Sequence, residues 1–139
     1  MTKTEIIQFL NANPACHLAT ADGNQPRVRG MLMYRADEQG ILLHTGSAKD
    51  LCKQMIANPR VELCFFNAKD SVQVRVTGKA ELVEDQNLKE EIVANRPFMK
   101  PWVDQHGYKL IAVFRVKNAA AIVWTMATNL EPKVSIQLC

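Results

Sequence analysis

Residues 71–84 read SVQVRVTGKAELVE, and their alternation decides the fold. Val72, Val74, Val76, Gly78, Ala80 and Leu82 fall on one side of an extended chain, and Gln73, Arg75, Thr77, Lys79 and Glu81 on the other. That period of two marks a strand with one face in a core. Gly78, in the middle, predicts a bulge or sharp bend where a barrel strand turns a corner. Just upstream, 60–67 (RVELCFFN) repeats the pattern, with Val61, Leu63 and Phe65 alternating against Glu62, Cys64 and Phe66.

Working outward, 15–21, 26–35 and 41–45 read as an antiparallel meander whose turns are 22–25 and 37–40. Two further strands are expected over 108–116 and 119–126, joined at Lys117-Asn118. Thr2 with Glu5 forms a capping box for a first helix, whose apolar face is Ile6, Ile7, Phe9 and Leu10. Helices are also expected over 48–57, ended by Asn58-Pro59, and over 85–95. Residues 96–107 are punctuated by prolines and read as irregular. The fold class is therefore mainly β with short helices (α+β), with six or seven mostly antiparallel strands. A small closed or partly closed barrel covers strand edges better than an open sheet.

The 139 residues read as one domain, 1–139. An apolar fraction of 47% and a charged fraction of 22% are those of a soluble globular protein. No apolar run approaches the ~20 residues that span a bilayer, and the N-terminal MTKTEIIQFLNANPA lacks a basic segment followed by an apolar run. A cytoplasmic location follows as the default expectation. The net charge of +3 is modest, and the basic residues are scattered among acids, which argues against a nucleic-acid surface. Cys16, Cys52, Cys64 and Cys139 form no CxxC pair, so buried reduced thiols are expected and a zinc site is not.

The stretch 26–61 carries the chemistry: PRVRGMLMY, a turn, then ILLHTGSAKDLCKQMIANPRV. Arg27 and Arg29 share one strand face. Ser47 with Asp50 reads as a variant capping box that would start a helix near Ala48. The free N–H groups of that helix attract an anion, and Thr45, Ser47 and Lys49 stand around it. Together these form a receptor for a phosphate group attached to something flat and apolar.

At these residues a resemblance becomes visible. The runs PRVRGMLM, HTGSAKDLCKQMIANPRVEL and VQVRVTGKAELVED resemble the pyridoxamine 5′-phosphate oxidase-like proteins, the FMN-binding split-barrel flavoproteins. The branch resembled is the short bacterial one grouped with oxidase-related and nitroimidazole-resistance proteins. The resemblance implies a split β-barrel and a homodimer with two FMN molecules at the subunit interface. Carried over by motif position, Arg27, Val28 and Arg29 flank the flavin and its phosphate, while Met31, Leu32 and Met33 continue beneath the isoalloxazine. Thr45, Ser47 and Lys49 would surround the phosphate, and Gln73, Arg75 and Trp124 would reach the ring from the partner subunit. The implied activity is an oxidoreductase acting on a small-molecule substrate with NADH or NADPH as electron donor. A non-catalytic flavin carrier, sensor or store is the alternative, as is a deazaflavin or haem in place of FMN. The full-length oxidases resembled carry basic and aromatic residues in a C-terminal segment where this chain, beyond Trp124, has only Lys133 as a base. The substrate is therefore left unassigned, and catalytic residues are not named.

Among remaining candidates, His17 within an apolar strand reads as a core or interface histidine, His44 as a cofactor neighbour or an exposed strand end, and His106 as surface. Cys64 reads as an inert thiol. Replacing Lys49 with Ala is expected to weaken FMN binding by about 1.5–3 kcal/mol, the worth of a charge-assisted contact, measured by flavin titration. Unchanged affinity would place the phosphate elsewhere.

Overall fold

The computed structural model describes residues 1–139. Helix α1 (Lys3–Ala12) begins at the expected capping box, in which Thr2 Oγ1 accepts from the Glu5 amide at 3.2 Å and Glu5 returns the bond to the Thr2 amide at 2.6 Å. Strands β1 (Ala15–Asp22), β2 (Gln25–Leu32), β3 (Arg35–Asp37) and β4 (Gly40–Gly46) follow, then α2 (Asp50–Ala57), β5 (Arg60–Asn67) and β6 (Val72–Val83). The chain continues through α3 (Gln86–Asn95), a 3-10 turn at Pro97–Met99, α4 (Lys100–His106), a second 3-10 turn at Tyr108–Leu110, β7 (Ile111–Thr125) and β8 (Ile136–Gln137). No helix is long and apolar enough to cross a membrane.

All strand pairs are antiparallel, and the hydrogen-bonded order is β2-β1-β5-β6-β7-β4-β3, with β8 on β7. The ladder does not close. Its two edges, β2 and β3, are successive parts of one chain that steps from β1 to β4 at Met33-Tyr34. At that corner the Met33 amide donates to Pro14 O at 2.9 Å, on the β1 side, and the Tyr34 amide to Leu42 O at 3.0 Å, on the β4 side. A barrel split at this seam is the result. The outer edge of β3 is held by α1, because Asn11 exchanges two hydrogen bonds with the Ala36 main chain at 2.8 and 2.9 Å.

Inward-facing Leu18, Leu63, Phe65, Val74, Val76 and Phe114 fill the barrel, with Ile6 and Leu10 of α1 closing one end. The continuous apolar run in β4 is buried on both faces: Ile41 and Leu43 enter the barrel, whereas Leu42 packs outward against Ile92 and Val93 of α3 and Met99.

Several expectations are corrected. The strand expected over 26–35 divides into β2 and β3, because the chain must change partners at the seam. The two strands expected over 108–126 are one bent strand, β7. Asn118 adopts φ 51° there, opposite a register shift between Thr77 and Lys79. With β8 added, eight strands form where six or seven were expected. Residues 96–107 are not irregular, since each proline opens a helical turn in which its missing N–H goes unused. Ser47 does not cap α2, whose N-cap is Lys49 without a side-chain bond. Leu82 is exposed rather than inward, and of the two readings of His17, core or interface, its exposure on the outer sheet face overturns the core one.

Gly78 behaves as its position predicted. A Cβ there would lie 2.5 Å from Val116 Cγ1 and 2.9 Å from Lys117 O. Gly78→Ala is expected to lower stability by about 1–3 kcal/mol through overpacking of the bend, read as a reduced urea midpoint. An unchanged midpoint would mean that the close approach of β6 and β7 is dispensable.

Candidate functional site

The seam opens into a cleft of about 540 Å³. One wall is β2 at Gly30–Leu32 and the other is β4 at His44–Gly46. Lys49 stands at the start of α2, and Arg96, Phe98, Met99 and Trp102 cover the opening. No carboxylate lines it. The apolar lining of Met31, Leu32, Met99, Leu110 and Ile111 suits a flat apolar body, and Lys49 suits an anion. Phe98 and Trp102 are both more than half exposed and meet edge to face at 6.3 Å, forming an aromatic rim.

Arg96 organises this cleft. It ends α3, and its guanidinium reaches back across the seam to donate to Leu32 O at 3.1 Å and Met33 O at 2.6 Å. A third contact, at 2.5 Å, goes to His44 Nε2, and the guanidinium lies 5.3 Å from the centroid of the Tyr34 ring. Tyr34 is itself fixed by its hydroxyl donating to Glu91 at 2.6 Å and accepting from Asn95 at 3.0 Å. Burial, then the adjacent Arg96 and Lys49 cations, push the His44 imidazolium down to about 4. His44 is therefore neutral at physiological pH. Burial also pushes the Cys16 thiol up to about 12 and raises Cys52 and Cys64, so these thiols remain protonated and inert.

The residues singled out from sequence fall in different parts of the molecule. Met31, Thr45 and Lys49 line the seam cleft, together with Leu32 and His44. Arg27 and Arg29 line an adjoining open cleft against α2, with Asp50, Lys53 and Gln54. The two clefts meet at the start of α2, since Gly30 and Lys49 line one and their neighbours Arg29 and Asp50 the other. Arg29 is half-buried and donates to Thr20 Oγ1 at 2.7 Å, Gln54 Oε1 at 2.6 Å and Leu18 O at 3.3 Å, with no carboxylate among its partners. Arg27 pairs with Asp22 at 3.4 Å on the surface.

Gln73, Arg75 and Trp124 lie on the outer sheet face, away from the cleft of their own chain. There Gln73 is opposite Trp124, and Arg75 is opposite Cys64 and Ile122 and pairs with Glu62 at 3.4 Å. Two residues face elsewhere. Ser47 Oγ donates to Lys109 O at 2.9 Å and belongs to a different groove, and Met33 is buried in the core. Val28 is exposed on the outward side of β2. Arg96, Phe98 and Trp102 were missed by sequence reasoning. The only local signal was the i,i+4 spacing of the aromatics after Pro97, a helical spacing in a segment read as irregular.

Comparison with known proteins adds three findings. The sequence profile of the family described as pyridoxamine 5′-phosphate oxidase matches residues 2–128. The chain is 30% identical over 116 residues to a pyridoxine/pyridoxamine 5′-phosphate oxidase of Rhizobium meliloti, covering 81% of this chain and 56% of that protein. The chain thus spans about half the length of that curated relative. Among solved structures, a NimC/NimA family protein from Clostridium acetobutylicum superposes with a TM-score of 0.79 at 24% identity, covering 98% of this chain and 93% of the other. A pyridoxamine 5′-phosphate oxidase-related, FMN binding protein from Nostoc punctiforme superposes with a TM-score of 0.64 at 13% identity, covering 95% and 87% respectively. These two share the split-barrel fold.

His44 gives the site a pH signature. Its folded pKa of about 4 lies below the ordinary 6.5, so the unfolded chain binds the extra proton between those values. Stability is fully present above pH 6.5 and falls as the pH drops towards 4. Between pH 6.5 and 5 the loss from this residue is at most about 2 kcal/mol. His44→Gln is expected to flatten that part of a urea-midpoint profile, and an unchanged slope would show that His44 titrates freely.

Proposed function

The chain belongs to the pyridoxamine 5′-phosphate oxidase family, and from that premise we propose that it is an FMN-binding flavoprotein acting as an oxidoreductase on a small molecule. The observation that carries this is the seam cleft itself: an apolar slot lined by cations and no acids, with Lys49 at the helix start. FMN has the matching shape, a flat ring joined to a phosphate that carries close to two negative charges.

In this account Lys49 and the first amides of α2 hold the phosphate, with Thr45 beside them. Arg29, already a half-buried cation without a carboxylate, adds charge from the adjoining cleft, and Arg27 contributes to the same field at longer range. Met31, with the adjacent Leu32, supplies the wall along the ring, and Val28 stands on the outward side of the same strand. Ser47 acts indirectly, by pinning the turn to Lys109. The bound flavin would supply hydride or electron transfer, with NADH or NADPH as the donor, while the chain positions the ring and limits access to it. The description of the Nostoc punctiforme protein as FMN binding supports the cofactor. The oxidase description of the Rhizobium meliloti relative supports the redox class. Residues 1–139 serve as one flavin domain in the cytoplasm, without nucleic acid or membrane partners.

Two copies complete the site. The outer face of β2, β1, β5, β6 and β7 mixes exposed apolar side chains with the polar Glu62, Gln73, Arg75 and His17. Val28 is 69% exposed, Phe66 52% and Leu32 46%, and Ala19, Cys64 and Ile122 lie among them. A second copy docked there buries this face and brings its own Gln73, Arg75 and Trp124 towards the cleft beside Gly30 and Leu32.

Purified protein is expected to be yellow, to release FMN on acid precipitation, and to scatter light as a dimer. Colourless protein that takes up no FMN in titration contradicts the proposal. A haem or deazaflavin spectrum would keep the cleft and replace the cofactor. Reduction by NADH or NADPH, followed by reoxidation with candidate acceptors, separates an enzyme from a flavin carrier: no turnover leaves only binding.

A further inference from the structure

The contact between Arg96 and His44 has a chemical consequence for whatever occupies the cleft. A guanidinium carries only N–H donors and does not deprotonate in proteins. An Arg96 Nη1 to His44 Nε2 distance of 2.5 Å therefore requires a lone pair on Nε2. A neutral imidazole has one proton, which must then reside on Nδ1.

Arg96 is not free to swing away from this contact. Two main-chain carbonyls, Leu32 O and Met33 O, hold the fork from the other side, and the Tyr34 ring lies against it. Protonation of His44 would instead set an imidazolium against this guanidinium, with Lys49 nearby at the start of α2. Glu91 faces Tyr34 and Arg35, and no carboxylate is bonded to His44. His44 Nδ1 has no acceptor within the protein, yet it is not among the sealed unpaired atoms, which are Arg35 Nε and Arg115 Nε. The ring lines the cleft.

We propose that Arg96 is a positioning residue that locks His44 as its Nδ1–H tautomer, so that the cleft presents a fixed neutral N–H to an acceptor on the ligand ring. The acceptor class is a carbonyl oxygen or an unprotonated ring nitrogen. A ligand offering only donors or a cation at that point is disfavoured. The lock itself is a property of the chain alone. Its use on a ligand rests on the flavin proposal above, since an isoalloxazine carries such acceptors along one edge.

The test is nitrogen NMR of the full chain labelled with 15N-histidine, the His44 signals being assigned by their loss in His44→Gln. The expected wild-type pattern is a pyridine-type Nε2 and a pyrrole-type Nδ1. In Arg96→Met the pattern reverts towards the Nε2–H form common in water, and His44 takes up a proton at higher pH. Arg96→Lys keeps the charge but not the fork, and is expected to give a mixture. It also provides the comparison should Arg96→Met fold poorly. A wild-type Nε2–H pattern, or the same tautomer in wild type and folded Arg96 variants, overturns the lock.

FMN is the probe in the second arm. Its addition is expected to shift the Nδ1–H signal in wild type, and the Arg96 variants to bind FMN roughly three- to tenfold more weakly, the worth of one neutral hydrogen bond. FMN binding with no Nδ1–H shift overturns the donor role. No FMN binding by wild type, with the tautomer switch intact, sinks the flavin proposal and leaves the lock standing.

Discussion

A chain that crosses from one edge of a split barrel to the other must leave one strand partner before it gains the next. Here that happens at Leu32 to Tyr34, and the guanidinium of Arg96 spans the gap by holding Leu32 O and Met33 O. Much of the site follows from that bond set. It anchors the end of α3, and with it the start of the segment that lays Phe98 and Trp102 over the seam. It also brings the cation to His44, which adds to burial, the larger cause, in keeping a histidine of the cleft wall neutral. Even partly burying a guanidinium without a carboxylate is costly unless its donors find acceptors. Main-chain carbonyls, an imidazole lone pair and an aromatic face provide them.

Cations also gather around the start of α2, where Asp22 and Asp50 stand among them. Lys49 stands in the seam cleft, and Arg29 is tied to Thr20 and Gln54 in the cleft beside it. Burial, then the neighbouring Arg27, disfavours the charged form of Arg29. Such a region gains most from an anion that two or three cations can share. Surface pairs such as Arg27 with Asp22 are worth little by comparison, so local positive potential outweighs any single salt bridge here. The outer sheet face adds a second unmet demand, the exposed apolar side chains of Val28, Leu32 and Phe66 among polar neighbours. A phosphate-bearing aromatic ligand and a second copy of the chain would satisfy both.

What the sequence disclosed depended on how local the determining forces were. β5 and β6 were legible because a period of two is written residue by residue, and Gly78 was legible because only a missing Cβ permits the approach of Val116 and Lys117. The continuity of β7 was not. Lys117-Asn118 resembles a hairpin turn, but the opposing bend at Gly78 lets the strand run through it. Ser47 matched a capping pattern and was then claimed by Lys109, 62 residues away, a tertiary bond that local spacing does not encode. The prolines of 96–107 hid a helix because each sits where its missing N–H is harmless. Of the residues that line the seam cleft, Thr45 and Lys49 were legible from the turn after β4, and Met31 from the family resemblance alone. Arg96 was not, since its partner carbonyl at Leu32 lies 64 residues upstream and only the finished barrel brings them together.

The most direct measurement is a crystal structure of the chain grown with FMN. The account predicts the phosphate against Lys49 and the first amides of α2, and the ring along Gly30–Leu32 beneath the Phe98/Trp102 rim, with a second copy on the outer sheet face. A flavin bound at any other surface, or a seam cleft filled by the chain's own side chains, would contradict it.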